Sequence, residues 1–307
     1  MSNLLSDARV LVTGGGGFVG RRLVYRLAAA PRAKLFVAQR SGTVPVAGAT
    51  CVQMDILDRG AVMQAISEVC PDVIVHLAAQ ASVGQGFEAA TTTWSTNVCG
   101  TVHLAEAVAT HVPNATVLFA STVEVYGLAF NNGEASEITL PQPLSSYAWT
   151  KLAAEKALAD ILPESARLII VRPSNHSGRG QDNRFVLPSF AAQIKAGRGI
   201  LVGNLDAKRD FLHVEDVVDA YVKLIDVAPQ LSKRSLFNLA SGKVSSVGFL
   251  LNRMMELSGT QAKVQVDPNR LRPSDVPVAA VDASLVREKI AWAPQRSLDD
   301  MLSDLIK

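Results

Sequence analysis

A tyrosine and a lysine four residues apart, Tyr147-Ala-Trp-Thr-Lys151, stand downstream of the glycine run Gly14-Gly-Gly-Gly17-Phe-Val-Gly20. The pair has the residue types needed to move a proton. A free phenol, with a pKa near ~10, is a poor acid or base at neutral pH unless its phenolate is stabilised. Residues i and i+4 share a helix face, so the Lys151 ammonium can sit beside the Tyr147 phenol and lower its pKa. Taken alone, such a pair is more often a surface feature. Ser121-Thr122 raises its weight, because it ends the apolar run Thr116 to Ala120, which reads as a strand. Open α/β sheets bind ligands at the C-terminal ends of their strands, and a hydroxyl there can hydrogen-bond a reacting oxygen.

The glycine run has a different task. It follows Arg9 to Thr13, which reads as a first strand, and precedes a helical pattern from Phe18. A strand, a tight glycine turn and a helix N-terminus make an anion site, with backbone N–H groups pointing outward and the helix dipole favouring negative charge. Glycines at 14, 17 and 20 permit the turn, close approach to a pyrophosphate and tight helix-to-strand packing. A lone glycine triplet is weak evidence; its place between strand and helix predicts a dinucleotide. In NAD-preferring sites an acid stands about 20 residues past the last glycine. Here that place is Gln39-Arg40-Ser41, with no acid. Arg40 would welcome a 2′-phosphate, so NADP(H) is expected over NAD(H). If Arg40 lies over the adenine instead, both bind.

These groups need a scaffold, and the first half of the chain supplies one. Strands are predicted at Arg9 to Thr13, Lys34 to Ala38, Thr50 to Gln53, Val73 to Leu77, Thr116 to Ala120 and Arg167 to Val171. Helical patterns lie between them at Val19 to Ala29, Arg59 to Val69, Trp94 to Thr110 and Ser146 to Leu162. This alternation predicts an α/β fold, a doubly wound parallel sheet of the Rossmann type with a smaller C-terminal α/β substrate lobe. The division expected is 1–172 for the dinucleotide-binding domain and 173–307 mainly for substrate, with segments near 211–240 returning to the first. At 307 residues and 48% hydrophobic the chain can bury a sizeable core, and a net charge of +2 argues against a nucleic-acid or polybasic membrane surface. No apolar run reaches the ~18 residues of a membrane span, and Met1 to Asp7 does not resemble a signal peptide. Cys51, Cys70 and Cys99 read as buried reduced thiols of a cytoplasmic protein, not as a metal site.

Together, Gly14-x-x-Gly17-x-x-Gly20, Asp55-Ile56, His76-Leu-Ala-Ala79, Asn97-x-x-Gly100-Thr101, Ser121-Thr122 through Val125-Tyr126-Gly127, and Tyr147-x-x-x-Lys151 resemble the extended short-chain dehydrogenase/reductase (epimerase/dehydratase) family, in order and over nearly the whole chain. The resemblance implies a catalytic triad of Thr122, Tyr147 and Lys151. It implies cofactor contacts at Phe18 and Val19 in the glycine loop, at Asp55 and Ile56 beside the adenine, at Leu77, Ala78 and Ala79 under the cofactor, and at Asn97.

Downstream, Arg172-Pro173-Ser-Asn175-His176 through Gln181, the stretch Val202-Gly203-Asn204 through Phe211, and Val266-Asp267 through Arg272-Pro273 are similar to the GDP-4-keto-6-deoxy-D-mannose reductases of that family, which make GDP-D-rhamnose. The 4,6-dehydratases are usually longer and carry an arginine-rich segment absent here. The resemblance implies a homodimer, paired through the helices at Trp94 to Thr110 and Ser146 to Leu162, that reduces the C4 ketone of a GDP-4-keto-6-deoxy hexose or heptose for glycan synthesis. Arg209 and Arg272, then Arg270, are the diphosphate candidates, since arginine's fork suits phosphate oxygens. Asn175 is expected near the sugar, and His176 as a packed loop residue. Glu124 holds the place of the dehydratases' proton-abstracting glutamate, but Val123 stands where a partner acid would be, so Glu124 is read as a substrate-positioning carboxylate. The alternatives are a 4-epimerase or 4,6-dehydratase with tightly held NAD, and a non-catalytic dinucleotide sensor.

Overall fold

The computed structural model describes residues 5, 7–29, 33–40, 48–81, 90–197, 199–271 and 276–307. Its strands are β1 (Arg9–Thr13), β2 (Lys34–Gln39), β3 (Thr50–Gln53), β4 (Val73–His76), β5 (Thr116–Ala120), β6 (Arg167–Pro173), β7 (Asn175–Ser177), β8 (Ile200–Val202), β9 (Lys208–His213), β10 (Arg234–Leu239), β11 (Val244–Ser246), β12 (Val264–Val266) and β13 (Val278–Ala279). Seven of them form one parallel sheet in the order β3-β2-β1-β4-β5-β6-β10. The order reverses between β1 and β4, which opens a crevice at the C-terminal edge of a doubly wound sheet.

Strand side chains alternate between two cores. Val10, Val12, Val73, Val75, Leu118, Ile169 and Val171 face one side with the helices Phe18–Ala28 and Val214–Asp226. Leu11, Ile74, Val117, Phe119 and Leu168 face the other, under Arg59–Val69, Gly100–His111 and Ser146–Ile161. Both faces are covered, so the strands read as continuous apolar runs rather than alternating ones. The helix Val214–Asp226 and the edge strand β10 both come from beyond residue 173, yet both are built into this sheet layer.

A third core joins the helices Val186–Lys195, Val247–Ser258 and Leu298–Ile306 through Phe190, Leu250, Met254 and Leu302. Beside it β9 pairs with β7, β11 and β13, and β8 pairs with β12. The cysteines expected to be buried are not: Cys51 is half-buried, Cys70, which ends the helix Arg59–Val69, is exposed, and so is Cys99. One expected helix also differs in detail. The pattern from Trp94 begins earlier, at Ala90–Trp94, passes through a π turn at Ser95–Cys99 and continues as Gly100–His111. The Thr101 hydroxyl donates to the Asn97 carbonyl at 2.6 Å within that turn. Such π turns recur at functional sites, and this one holds Asn97.

Candidate active site

The turn after β1 is shaped by what a side chain would strike. Gly14 has φ +69°, and a Cβ there would lie 2.8 Å from the backbone nitrogen of Ala78. A Cβ on Gly20 would lie 2.2 Å from the Gly14 carbonyl oxygen. The glycines therefore let the turn press onto residues 77–78 at the reversal of strand order. Gly17 caps the helix Phe18–Ala28 without a side-chain hydrogen bond, and the first turn carries no acid. Its N–H groups and positive dipole end suit a pyrophosphate, so these residues fit a dinucleotide.

The floor of the crevice is tied down by a directed chain of hydrogen bonds. Ala78 N–H donates to Thr13 Oγ1 at 3.2 Å, and Thr13 Oγ1 lies 2.7 Å from His76 Nδ1. On the other side His76 Nε2 lies 3.0 Å from Thr101 Oγ1. The Thr101 proton is committed to the Asn97 carbonyl, so Nε2 must donate and Nδ1 must accept. His76 is thus neutral, in accord with burial and then Lys151 depressing its pKa to about 3. The Asn97 carboxamide brackets Gln80, accepting from its N–H at 2.8 Å and donating to its carbonyl at 3.1 Å. It also donates to Thr150 Oγ1 at 2.9 Å, and that hydroxyl donates to the Tyr147 carbonyl at 2.7 Å. Asn97 therefore links the strip that includes Leu77, Ala78 and Ala79 to the helix that carries Tyr147.

Thr122 and Tyr147 meet at the end of β5. Ser145 caps the helix Ser146–Ile161 by accepting from Ala148 N–H at 3.1 Å, which fixes Tyr147 in its first turn. The Thr122 side chain acts on the Tyr147 phenol at short range. Burial, and then the Glu124 carboxylate, push the phenol well above its ordinary range, against the opposing Thr122 contact. This corrects the expectation that Lys151 would pull the phenol down. Lys151 is itself buried, its Nζ 4.3 Å over the Phe119 ring, and burial lowers it to about 7 despite the Glu155 charge. Glu124 is half-buried, whereas Val123 is packed in the core. Below these groups, Glu155 and Arg172 form a buried ion pair that spacing alone left unread.

The adenine-side candidates cluster at the ends of β2 and β3. Gln39 pairs with Gln53, Arg40 is exposed, Asp55 accepts from Leu57 N–H at 3.0 Å, and Ile56 is buried against Gly100. Phe18, at the start of the first helix, stacks with His176 at 6.4 Å and 7° and carries Arg22 at 4.5 Å over its ring. His176 is thus packed, its Nδ1 3.0 Å from the Ser174 carbonyl. Its neighbour Asn175 lies opposite Phe211 on β9, two residues from the half-buried Arg209. Arg270 is engaged with Asp267 at 3.5 Å and donates to Ser189 Oγ at 3.3 Å. Arg272 lies outside the described residues. Among the described residues no helix is long and apolar enough to cross a membrane.

This geometry has known relatives. A family model described as GDP-mannose 4,6 dehydratase matches residues 11–305. GDP-6-deoxy-D-mannose reductase of Pseudomonas aeruginosa is 32% identical over 314 residues, covering 96% of this chain and 96% of that protein. GDP-6-deoxy-D-talose 4-dehydrogenase of Aggregatibacter actinomycetemcomitans is 30% identical over 278 residues, covering 90% and 89%. Among solved structures, that of RMD from Pseudomonas aeruginosa complexed with NADPH is similar with a TM-score of 0.82 at 28% identity, covering 98% of each chain.

Proposed function

We propose that this chain, which belongs to the GDP-mannose 4,6-dehydratase family of extended short-chain dehydrogenases/reductases, reduces the C4 ketone of a GDP-4-keto-6-deoxy sugar with NADPH. The observation that carries the reading is the buried Tyr147 phenol beside Thr122, held in its protonated form by burial and by Glu124. A reductase must hand a proton to the oxygen at C4, and a phenol above its ordinary range rests as the donor. The buried Val123 offers no acid for eliminating water, which disfavours the dehydratase reaction. The names of the P. aeruginosa reductase and the talose 4-dehydrogenase support chemistry at C4 of a GDP-6-deoxy sugar.

When bound, NADPH supplies the hydride. Gly14, Gly17, Phe18, Val19 and Gly20 would hold its pyrophosphate, with Gln39, Arg40, Asp55 and Ile56 at the adenine end and Leu77, Ala78 and Ala79 beneath. Arg40, with no acid near it in sequence, favours the 2′-phosphate; NAD(H) would bind more weakly. Tyr147 protonates the nascent alkoxide while Thr122 hydrogen-bonds the same oxygen and fixes its orientation. Lys151 supplies positive charge beside the ribose. Glu124 and Asn175 position the sugar, and Arg209, Arg270 and Arg272 bind the diphosphate. Trp94 and Trp149, exposed on neighbouring helices, support a homodimer.

Incubation with GDP-4-keto-6-deoxy-mannose and NADPH tests the reading. Loss of the reduced-nicotinamide absorbance in step with a GDP-6-deoxyhexose seen by NMR is the expected result. Protein purified with retained NAD that converts a nucleotide sugar with no added cofactor would make it an epimerase or dehydratase instead.

A further inference from the structure

Tyr147, Lys151 and Glu155 are spaced by four on one helix, so a phenol, an ammonium and a carboxylate stand one turn apart on a single face. Only the third has no part in the reaction described above. Glu155 is 3% exposed, and both its oxygens are taken. Arg172 donates to it twice, Nε to Oε1 at 2.9 Å and Nη2 to Oε2 at 2.6 Å, and the Ser121 hydroxyl also donates to Oε1. Arg172 lies 4.9 Å over the Tyr126 ring, whose hydroxyl donates to Asn238 Oδ1 at 2.8 Å. The carboxylate is therefore fixed from the residue that follows β5, from β6 and, through Tyr126, from β10.

A fully buried ion pair is a weak source of stability, because desolvation cancels much of its attraction. Its effect on neighbours is a separate matter. Lys151 has the Phe119 ring beneath it, the neutral His76 on β4, Tyr147 one turn back with Glu124 beyond it, and Glu155 one turn on with Arg172 behind. Burial works against the ammonium, and Glu155 is the charge that opposes it.

We infer that Glu155 is a positioning residue: clamped by Arg172 and Ser121, its carboxylate keeps the buried Lys151 ammonium protonated and seated over Phe119. The inference rests on the proposed reaction only in giving Lys151 a role there.

The test reads the lysine directly. NMR titration of lysine-labelled protein, with the Lys151 signal assigned by Lys151→Arg, needs neither substrate nor cofactor. Glu155→Gln should move the Lys151 midpoint down by about one pH unit. Arg172→Met, which leaves the carboxylate without its guanidinium, should move it up. The alkaline limb of kcat/KM for NADPH should follow both shifts, in opposite directions. A clamp with a purely structural role weakens the fold in both variants without separating them, so midpoints that stay put or move together overturn the inference. Should neither variant fold, the Glu155→Leu/Arg172→Leu double variant replaces the pair with apolar side chains, a change buried pairs often tolerate. Its Lys151 midpoint should still fall, and an unchanged midpoint again overturns the inference. Midpoints that shift as expected in protein that reduces no GDP-4-keto sugar would sink the proposed reaction and leave the role of Glu155 standing.

Discussion

Lys151 and Arg172 are each 4% exposed, lie on adjoining elements and share Glu155 as a neighbour, yet they stand in opposite electrostatic situations. Burial dominates at Lys151 and lowers it to about 7. Burial also works against Arg172, but the hydrogen bonds and charge of Glu155 outweigh it and push the guanidinium up. Depth alone therefore does not decide the charge of a buried cation; the geometry of its partner does. At the front of the helix Ser146–Ile161, Lys151 is left free to change protonation near neutral pH. At the back, Arg172 and Glu155 pair their charges through two hydrogen bonds, so they stay as they are.

The contrast can be broken from either side. The largest effect is expected at the front: Tyr147→Phe should lower turnover about 10³–10⁴-fold while NADPH binding, followed by fluorescence quenching, and the urea midpoint stay near wild type. Near-normal turnover would remove Tyr147 as the proton donor. At the back the readout reverses. Arg172→Ala strands the Glu155 carboxylate and should cost about 3 kcal/mol of stability in urea, a loss that a merely peripheral pair would not produce.

A smaller effect follows from pH. In the free protein Lys151 is charged below about 7, so kcat/KM for NADPH should fall as pH rises through that value. Stability runs the other way. Lys151 and His76 bind their protons less tightly folded than unfolded, so the unfolded state holds the extra proton between about 7 and 10.5 for the lysine and between about 3 and 6.5 for the histidine. Stability must therefore rise with pH through each window. Urea midpoints measured from pH 6.5 down to 4 should decline as the unfolded chain takes up the proton that buried His76 refuses, and a flat profile would mean that His76 is not held neutral. The smallest effect lies farthest from both ends of the helix. Arg40 is exposed, and Arg40→Ala should reduce the preference for NADPH over NADH by about fivefold, in line with the ~1 kcal/mol of a surface charge contact.

The same contrast explains what could be read in the sequence. The apolar runs of β1, β3 and β5 carry their strand character locally, and their predicted limits match the structure. The Tyr147–Lys151 spacing is also local, and so was the place of Thr122 at a strand end. Glu155 was one more step of four along that helix face, a signal the sequence does contain. Its pairing with Arg172 joins a helix to a strand, and the Thr13–His76–Thr101 chain joins β1, β4 and a helix; neither has a local pattern. The upward push on Tyr147 depends on burial, which spacing does not report. The π turn at Ser95–Cys99 depends on one hydroxyl bonding back to one carbonyl. Among substrate residues, the Asn175–His176 stretch showed its packing against Phe18 only once β7 was placed beside β9.

The seventh strand of the sheet ties the protein's architecture to its manufacture. A chain leaving the ribosome has released six strands by Pro173, yet β6 then presents an open edge, and the apolar face later covered by Val214–Asp226 is bare. Such an edge is a template for pairing with another chain. The seven-stranded sheet can close only after Leu239 has emerged, so the interval of translation between Pro173 and Leu239 is when the β6 edge of a nascent molecule stands open to a foreign strand.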